Sequence, residues 1–103
     1  MPSSWTTKAD QTFAHNQREF LETEGRLEGR IRALRVTAYD VGGHAVRLHT
    51  IVPLNTAEGD KMFRILANKK PAWAYVRKGD LLYEFAGSEE AADEIRTAAD
   101  ALR

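Results

Sequence analysis

The feature of the sequence with the clearest chemical potential is a basic segment from residue 61 to residue 78. It contains six basic residues and no acidic residue, and three aromatic residues lie among them. Lysine and arginine bind phosphate groups, and aromatic rings stack on the bases of single-stranded nucleic acids. The segment therefore provides a candidate anion-binding surface, which consists of Lys69, Lys70, Trp73, Tyr75, Arg77 and Lys78.

The same segment also fits a purely structural interpretation. Lysines near a helix C-terminus complement the helix dipole, and Lys78 beside Gly79 fits a solvated hairpin turn. The segment lacks the sequence signatures of the common RNA-binding modules. Binding of nucleic acid or another polyanion through residues 61–78 is therefore an alternative and not the first hypothesis.

A second candidate site uses polar side chains predicted to share one face of the first β-hairpin. The side chains of this alternative ligand face are Arg35, Tyr39, Arg47 and His49. Histidine titrates near neutral pH, which makes His49 the best candidate for proton chemistry. A small-ligand binder or an enzyme that uses the His49 and Tyr39 face is the remaining alternative.

A third feature is a series of four arginines between residues 26 and 35, accompanied by a single carboxylate, Glu28. The arginines are Arg26, Arg30, Arg32 and Arg35. Guanidinium groups bind carboxylates and phosphates through paired hydrogen bonds, so the series could hold an acidic peptide or a phosphate. Arginines on a strand edge also protect against aggregation. The sequence leaves both interpretations open.

Several kinds of chemistry lack the residues that they need. The chain has no cysteine, which excludes disulfides, thiolate metal sites and cysteine nucleophiles. The three histidines do not have the spacing of a metal motif, and the serines fall where a tail or a helix cap is expected. We therefore predict no catalytic residue, no metal and no cofactor, and we favour a binding protein over an enzyme.

Length and composition indicate one ordinary globular domain. The chain has 103 residues, of which 15 are basic and 15 are acidic, and this balance argues against a generic polyanion binder. No apolar run approaches the roughly 18 residues of a membrane span, and the N-terminus has no signal-peptide core. We expect a flexible tail over residues 1–6, one α+β domain over residues 7–103, no membrane insertion and a cytoplasmic location.

The elements that must position these side chains follow from apolar periodicity and turn residues. Residues 7–24 are predicted as a helix, and a second helix starts at Asn55 or Thr56 and ends before Pro71. A third, alanine-rich helix follows Ser88. The predicted strands cover residues 31–41, 45–52, 72–77 and 81–86. This order predicts a four-stranded antiparallel sheet in helix-hairpin-helix-hairpin-helix order, with helices mainly on one face.

Each hairpin also receives a predicted register. In the first, a three-residue loop at 42–44 pairs Leu34, Val36 and Ala38 with Val52, Thr50 and Leu48. This register leaves polar and aromatic side chains on the opposite face, namely Arg35, Thr37, Tyr39, Arg47 and His49. In the second hairpin, four aromatic residues share one apolar face: Trp73, Tyr75, Tyr83 and Phe85. Glu84 has the opposite parity and is expected to face solvent.

These expectations favour a small, non-catalytic binding or assembly module that acts through protein–protein contacts. The partner would be another protein or a second copy of the chain. The small size, the absence of a catalytic constellation and the alanine-rich final helix motivate this first hypothesis. The two binding alternatives described above compete with it.

Overall fold

The computed structural model describes residues 1–69 and 74–103. Within these residues the fold is α+β, with three α-helices and one five-stranded antiparallel sheet. The strands are β1 (Thr6–Phe13), β2 (Ile31–Val41), β3 (His44–Pro53), β4 (Tyr75–Lys78) and β5 (Leu81–Gly87), in the sheet order β1-β2-β3-β5-β4. The helices are α1 (Arg18–Leu27), α2 (Thr56–Ala67) and α3 (Ala92–Leu102). In this described part of the chain, no helix combines the length and apolar composition needed to cross a membrane.

The α+β class and the antiparallel sheet confirm the prediction, but the number of strands was wrong. We predicted a helix over residues 7–24, whereas residues 6–13 form β1 and the helix begins at Arg18. β1 is an edge strand that is exposed along almost its whole length, so it lacks the alternating apolar residues of a half-buried strand. Phe13 and Phe20, which suggested a single helical stripe, belong to two elements that reach the same core.

The register of the first hairpin differs from the prediction by one residue. Gly42 and Gly43 have φ angles of 58° and 86°, so they form a two-residue turn and not part of a three-residue loop. Two consecutive positive φ angles suit a type I′ turn, which matches the twist of paired strands and favours glycine. Leu34 therefore pairs with Ile51 and not with Val52. Because side chains alternate along a strand, this shift exchanges which residues share a face.

The second hairpin also closes with a two-residue turn, and the predicted aromatic face does not form. Tyr75 pairs with Glu84, whereas Val76 pairs with Tyr83. Tyr75 is therefore on the opposite face of the sheet from Tyr83 and Phe85. The fourth predicted member, Trp73, lies outside the described residues.

Helices cover both faces of the sheet. The front face, covered by α1 and α2, has a core of Phe20, Leu27, Ile31, Leu34, Val36, Ile51, Met62, Leu66 and Leu82. The back face, covered by α3, has a core of Trp5, Val41, Val46, Leu48, Ala74, Val76, Phe85, Ala91, Ile95, Ala98 and Ala99. Two of the three helices thus share a face, but α3 covers the other one. The central strands contribute buried residues to both cores, as strands covered on both faces do.

Trp5 attaches the N-terminal residues to the back-face core. Its side chain is buried, and its ring centroid lies 5.3 Å from that of Tyr39 and 6.1 Å from that of Phe85. β1 begins at the next residue, Thr6. The flexible tail over residues 1–6 stays a prediction, and any flexibility there must be compatible with a buried indole.

Candidate functional site

The structure separates the four residues of the predicted ligand face. Arg47 and His49 lie on the front face, because they pair with Ala38 and Val36 respectively. Arg35 and Tyr39 lie on the back face, so the prediction that the four residues share one face was wrong. The physical reason is the one-residue shift in register, which moves every side chain of one strand relative to its neighbour.

The two back-face residues of this set have structural partners. The Arg35 guanidinium binds the Asp10 carboxylate of β1, with an Nε–Oδ1 distance of 2.8 Å. This pair lowers the pKa of Asp10 from its ordinary value, because a hydrogen bond and a positive charge stabilise the carboxylate. Tyr39 packs its ring edge-on against Trp5. Both side chains therefore act in the attachment of the N-terminal residues to the sheet.

The basic segment is partly neutralised by acidic residues of α2. Lys61 pairs with Glu58, and Arg77 Nη1 lies 2.6 Å from Asp60 Oδ1. The Arg77 guanidinium also lies over the ring of Phe63, 5.9 Å from its centroid. These contacts engage two basic side chains of the segment, Lys61 and Arg77, and leave less free charge for a polyanion.

The remaining members of the basic segment do not form a described cluster. Tyr75 is half-buried on the front face, and Lys78 is exposed at the hairpin turn. Lys69 is half-buried just beyond the end of α2. The predicted contributions of Lys70 and Trp73 fall outside the described residues.

A buried polar cluster of Arg26, His49 and Glu84 lies between α1 and the sheet. Glu84 was predicted to face solvent, but only 7% of it is exposed. Its two carboxylate oxygens accept hydrogen bonds of 2.6 and 2.7 Å from the Arg26 guanidinium. A buried carboxylate needs such a partner, because the desolvation of an unpaired charge is unfavourable.

His49 is the unsatisfied member of the buried polar cluster. Its Nδ1 atom lies 3.9 Å from Glu84 Oε1 and has no hydrogen-bond partner within residues 1–69 and 74–103. Burial lowers the pKa of His49 below its ordinary value, and the nearby Glu84 carboxylate only partly opposes this effect. Burial therefore favours the neutral imidazole, which lies beside a carboxylate whose two oxygens both accept hydrogen bonds from Arg26.

A groove of about 490 Å³ opens at the end of the sheet, where α1 meets the start of β2 and the end of β3. We call it the basic groove, and it is lined by His15, Phe20, Glu24, Arg30, Ile31, Arg32 and Leu54. Phe20 and Ile31 are buried and form its apolar floor together with the half-buried Leu54. The rim carries the charged side chains, two of which are arginines predicted as a possible anion clamp.

Hydrogen bonds between the elements fix the walls of the basic groove. Ile31 N donates to Glu24 Oε2 of α1 at 2.9 Å. Leu54 N donates to the carbonyl oxygen of Arg30 at 3.0 Å, and Arg32 Nη2 donates to the carbonyl oxygen of Leu54 at 3.0 Å. The groove is therefore a preformed feature held by contacts among α1, β2 and the segment after β3.

Among the residues that the structure describes, the start of β2 has no paired strand on the side away from β3, beside the basic groove. The pairing of β1 with β2 ends at Phe13 and Leu34, whereas β2 itself begins at Ile31. The first residues of β2 consequently have a neighbouring strand only on the β3 side. An extended segment placed there would continue the line of β1.

The sequence indicated the arginines of the basic groove but not its floor. Arg30 and Arg32 were recognised from their charge, whereas Phe20 and Leu54 come from elements 34 residues apart. The incorrect helix over residues 7–24 also concealed the loop that carries His15. No local pattern joins these positions, so only the tertiary structure could reveal the groove.

Comparisons with known protein families, with characterised proteins and with solved structures find no match for this chain. The candidate site is therefore assigned from the positions and chemistry of its own residues. Among the described residues, no group of three or more histidine, aspartate or glutamate side chains is placed to hold a metal ion. Within residues 1–69 and 74–103, the basic groove combines access, apolar surface and charge.

Proposed function

We propose that the protein is a small, non-catalytic protein-binding module that receives a segment of a partner polypeptide in the basic groove. The observation that carries this proposal is a groove with apolar lining residues at the end of the sheet, where β1 no longer pairs with β2. An apolar side chain of the partner would bury its surface against Phe20 and Leu54. Complete burial of such a side chain contributes roughly 1.5–3 kcal/mol.

The absence of a paired strand beside the start of β2, within the described part of the chain, favours a polypeptide over a compact small molecule. A peptide in extended conformation can pair its backbone with an exposed strand and place alternate side chains into adjoining pockets. Ile31 begins the strand and forms part of the groove floor, but its N–H already donates to Glu24 Oε2 and is not available as a donor for a paired segment. The occupant that fits best is therefore a short extended segment with one apolar side chain.

The charge distribution gives less support to nucleic-acid binding. Lys61 and Arg77 are already paired with Glu58 and Asp60, so two of the six basic residues of the segment are engaged. A polyanion would have to compete with these carboxylates. Binding through residues 61–78 stays an alternative proposal without a described surface of its own.

A peptide selection tests the protein-binding proposal without any assumption about charge. A displayed library of random hexapeptides would be selected on the folded protein, and the enriched peptides would be titrated into isotope-labelled protein. We expect the amide resonances of Phe20, Ile31 and Leu54 to shift in a saturable manner. The resonances of Asp93 and Thr97, on the exposed side of α3, provide an internal control.

Two outcomes would contradict the proposal. One is that no peptide is enriched above a library selected on unfolded protein. The other is that enriched peptides shift resonances of α3 or of the β4–β5 hairpin and leave those of the basic groove unchanged. Either result would remove the groove as the binding surface.

A further inference from the structure

We infer that the segment bound in the basic groove is acidic and carries carboxylates on both sides of its apolar side chain. This inference rests on the proposed function, because it names the chemistry of the partner for that same groove. The proposed function requires only an apolar side chain in the peptide. The inference adds the charge of that peptide and the salt dependence of its affinity.

Among the described residues, the fold divides the four arginines of the series into two whose side chains bind carboxylates and two whose side chains do not. Arg26 is bound to Glu84 and Arg35 is bound to Asp10, so neither is available to a ligand. Arg30 and Arg32 are exposed, and neither side chain has an ion-pair partner among the residues that the structure describes. The fold thus presents two of the four arginines at the groove and engages the other two elsewhere.

The carboxylates near Arg30 and Arg32, those of Glu24 and Glu58, are engaged by other groups. Glu24 Oε2 accepts a hydrogen bond from the backbone of Ile31. Glu58 pairs with Lys61 and also accepts a hydrogen bond from Arg30 N at 3.3 Å. These contacts lower the pKa of Glu58, principally through the Lys61 hydrogen bond. The Arg30 and Arg32 guanidinium groups keep donors for an added anion, because each carries five N–H groups.

Arg30, Ile31 and Arg32 are consecutive in the sequence, and all three line the basic groove. Arg30 precedes the first residue of β2, and the pairing of β2 with β3 is irregular between Ile31 and Ala33. The apolar Ile31 side chain thus has a basic residue on each side of it in the groove lining. Charge complementarity therefore predicts a bound segment with an acidic residue on each side of its apolar residue.

Three matched peptides test this inference by fluorescence anisotropy. They are acetyl-Ser-Asp-Leu-Glu-Ser-amide, its neutral form with Asn and Gln, and its basic form with two Lys residues, each bearing a fluorescein on an added linker. At low salt we expect the acidic peptide to bind about tenfold more tightly than the neutral one. The difference should shrink between low salt and about 0.5 M salt, because exposed charge pairs are screened. The basic peptide should bind most weakly.

Charge reversal at Arg30 tests whether this residue causes the preference for the acidic peptide. Arg30→Glu should abolish the preference for the acidic peptide and increase binding of the basic peptide. Arg96→Glu, on an exposed site of α3, removes the same charge and should change neither affinity. Arg30→Gln repeats the test without charge reversal, in case Arg30→Glu does not fold. Circular dichroism checks that each variant keeps the fold.

The outcomes distinguish this inference from the proposed function. If the neutral peptide binds as tightly as the acidic one and shifts the resonances of Phe20 and Ile31, the groove binds peptides but the acidic requirement is wrong. If the acidic peptide binds and Arg30→Glu leaves its affinity unchanged, the arginines do not recognise it and the inference is overturned. If no peptide shifts the groove resonances, both the inference and the proposed function fail.

Discussion

The Arg26 guanidinium on α1 holds the Glu84 carboxylate on β5 through two hydrogen bonds, although the two residues are 58 positions apart in the sequence. Glu84 is buried, whereas the Arg26 side chain is 36% exposed. The pair joins α1 to the sheet, and α1 also provides Phe20 and Glu24 to the basic groove. The position of one groove wall therefore depends on this connection.

Removal of either partner should destabilise the protein more than removal of both. We expect Glu84→Ala to lower the free energy of unfolding by about 2–3 kcal/mol, below the value for a fully buried pair because Arg26 is partly exposed. Arg26→Ala should have a similar effect, because it leaves a buried carboxylate without a partner. Urea unfolding at pH 7 measures both changes.

The double variant Arg26→Met/Glu84→Leu is the control for this coupling. It removes both charges and keeps apolar volume, so its loss of stability should be smaller than that of either single variant. Strict additivity of the two losses would show that the pair does not contribute as a unit.

Protonation of His49 should reduce stability as the pH falls. Burial lowers the pKa of His49 from its ordinary value of 6.5, so the unfolded chain binds this proton more readily than the folded chain. Glu84 and Glu19 oppose this lowering, and Arg47 and Arg26 reinforce it. The stability contribution is therefore fully present above about pH 6.5 and declines below it, toward the folded-state pKa.

A comparison of wild type with His49→Gln isolates this dependence from that of the other titrating groups. Free energies of unfolding measured at pH 7.5 and pH 5.5 should fall more for wild type than for the variant. The NMR resonances of the His49 imidazole ring, followed against pH, should report its titration directly. An equal loss in both proteins, with a His49 midpoint at or above 6.5, would contradict the prediction.

Two glycines near the end of α1 should respond to alanine in opposite directions. A Cβ at Gly29 would lie 2.6 Å from Cγ of the buried Met62, so Gly29→Ala should cost about 1–3 kcal/mol of stability through overpacking. A Cβ at Gly25 would meet nothing within 4 Å. Because Gly25 lies inside the helix, Gly25→Ala should stabilise by about 0.5–1 kcal/mol.

Thermal unfolding of the two variants provides the measurement, and each serves as the control for the other. The same substitution is made four residues away in the chain, so composition and charge do not differ. If Gly29→Ala proves neutral, Met62 adapts to the added methyl group and the α1–α2 contact is less tightly packed than the structure indicates.

Elements marked by local sequence features, such as strand composition or a helix cap, were predictable from the sequence. Their arrangement in the fold was not. The bounds of β2 agree with the predicted strand, and the Asn55 side chain caps α2 by accepting a hydrogen bond from Glu58 N, as their spacing predicts. β1 had no comparable signal, because an exposed edge strand needs no apolar alternation. Its stability comes from pairing with β2, which is a tertiary contact.

The separation of the predicted ligand face has one physical origin. The choice between a two-residue and a three-residue turn at Gly42 and Gly43 sets the register, and the register decides which side chains share a face. The burial of Glu84 could not be predicted for a similar reason. A carboxylate is expected to face solvent, and the sequence does not show that Arg26, far away in the chain, binds it. The charges of Arg30 and Arg32 were visible in the sequence, but the floor beside them required the assembled fold.

Neutralisation of Glu24 should strengthen binding of the acidic peptide to the basic groove. Glu24→Gln keeps an oxygen that can accept the hydrogen bond from Ile31 N and removes the carboxylate charge from the groove lining. We expect the affinity for acetyl-Ser-Asp-Leu-Glu-Ser-amide to rise about two- to fivefold at low salt, as for one exposed charge interaction. The affinity for the neutral peptide should stay the same. Glu22→Gln, on the exposed surface of α1, is the matched control, and an equal effect of both substitutions would mean that general charge and not the groove determines binding.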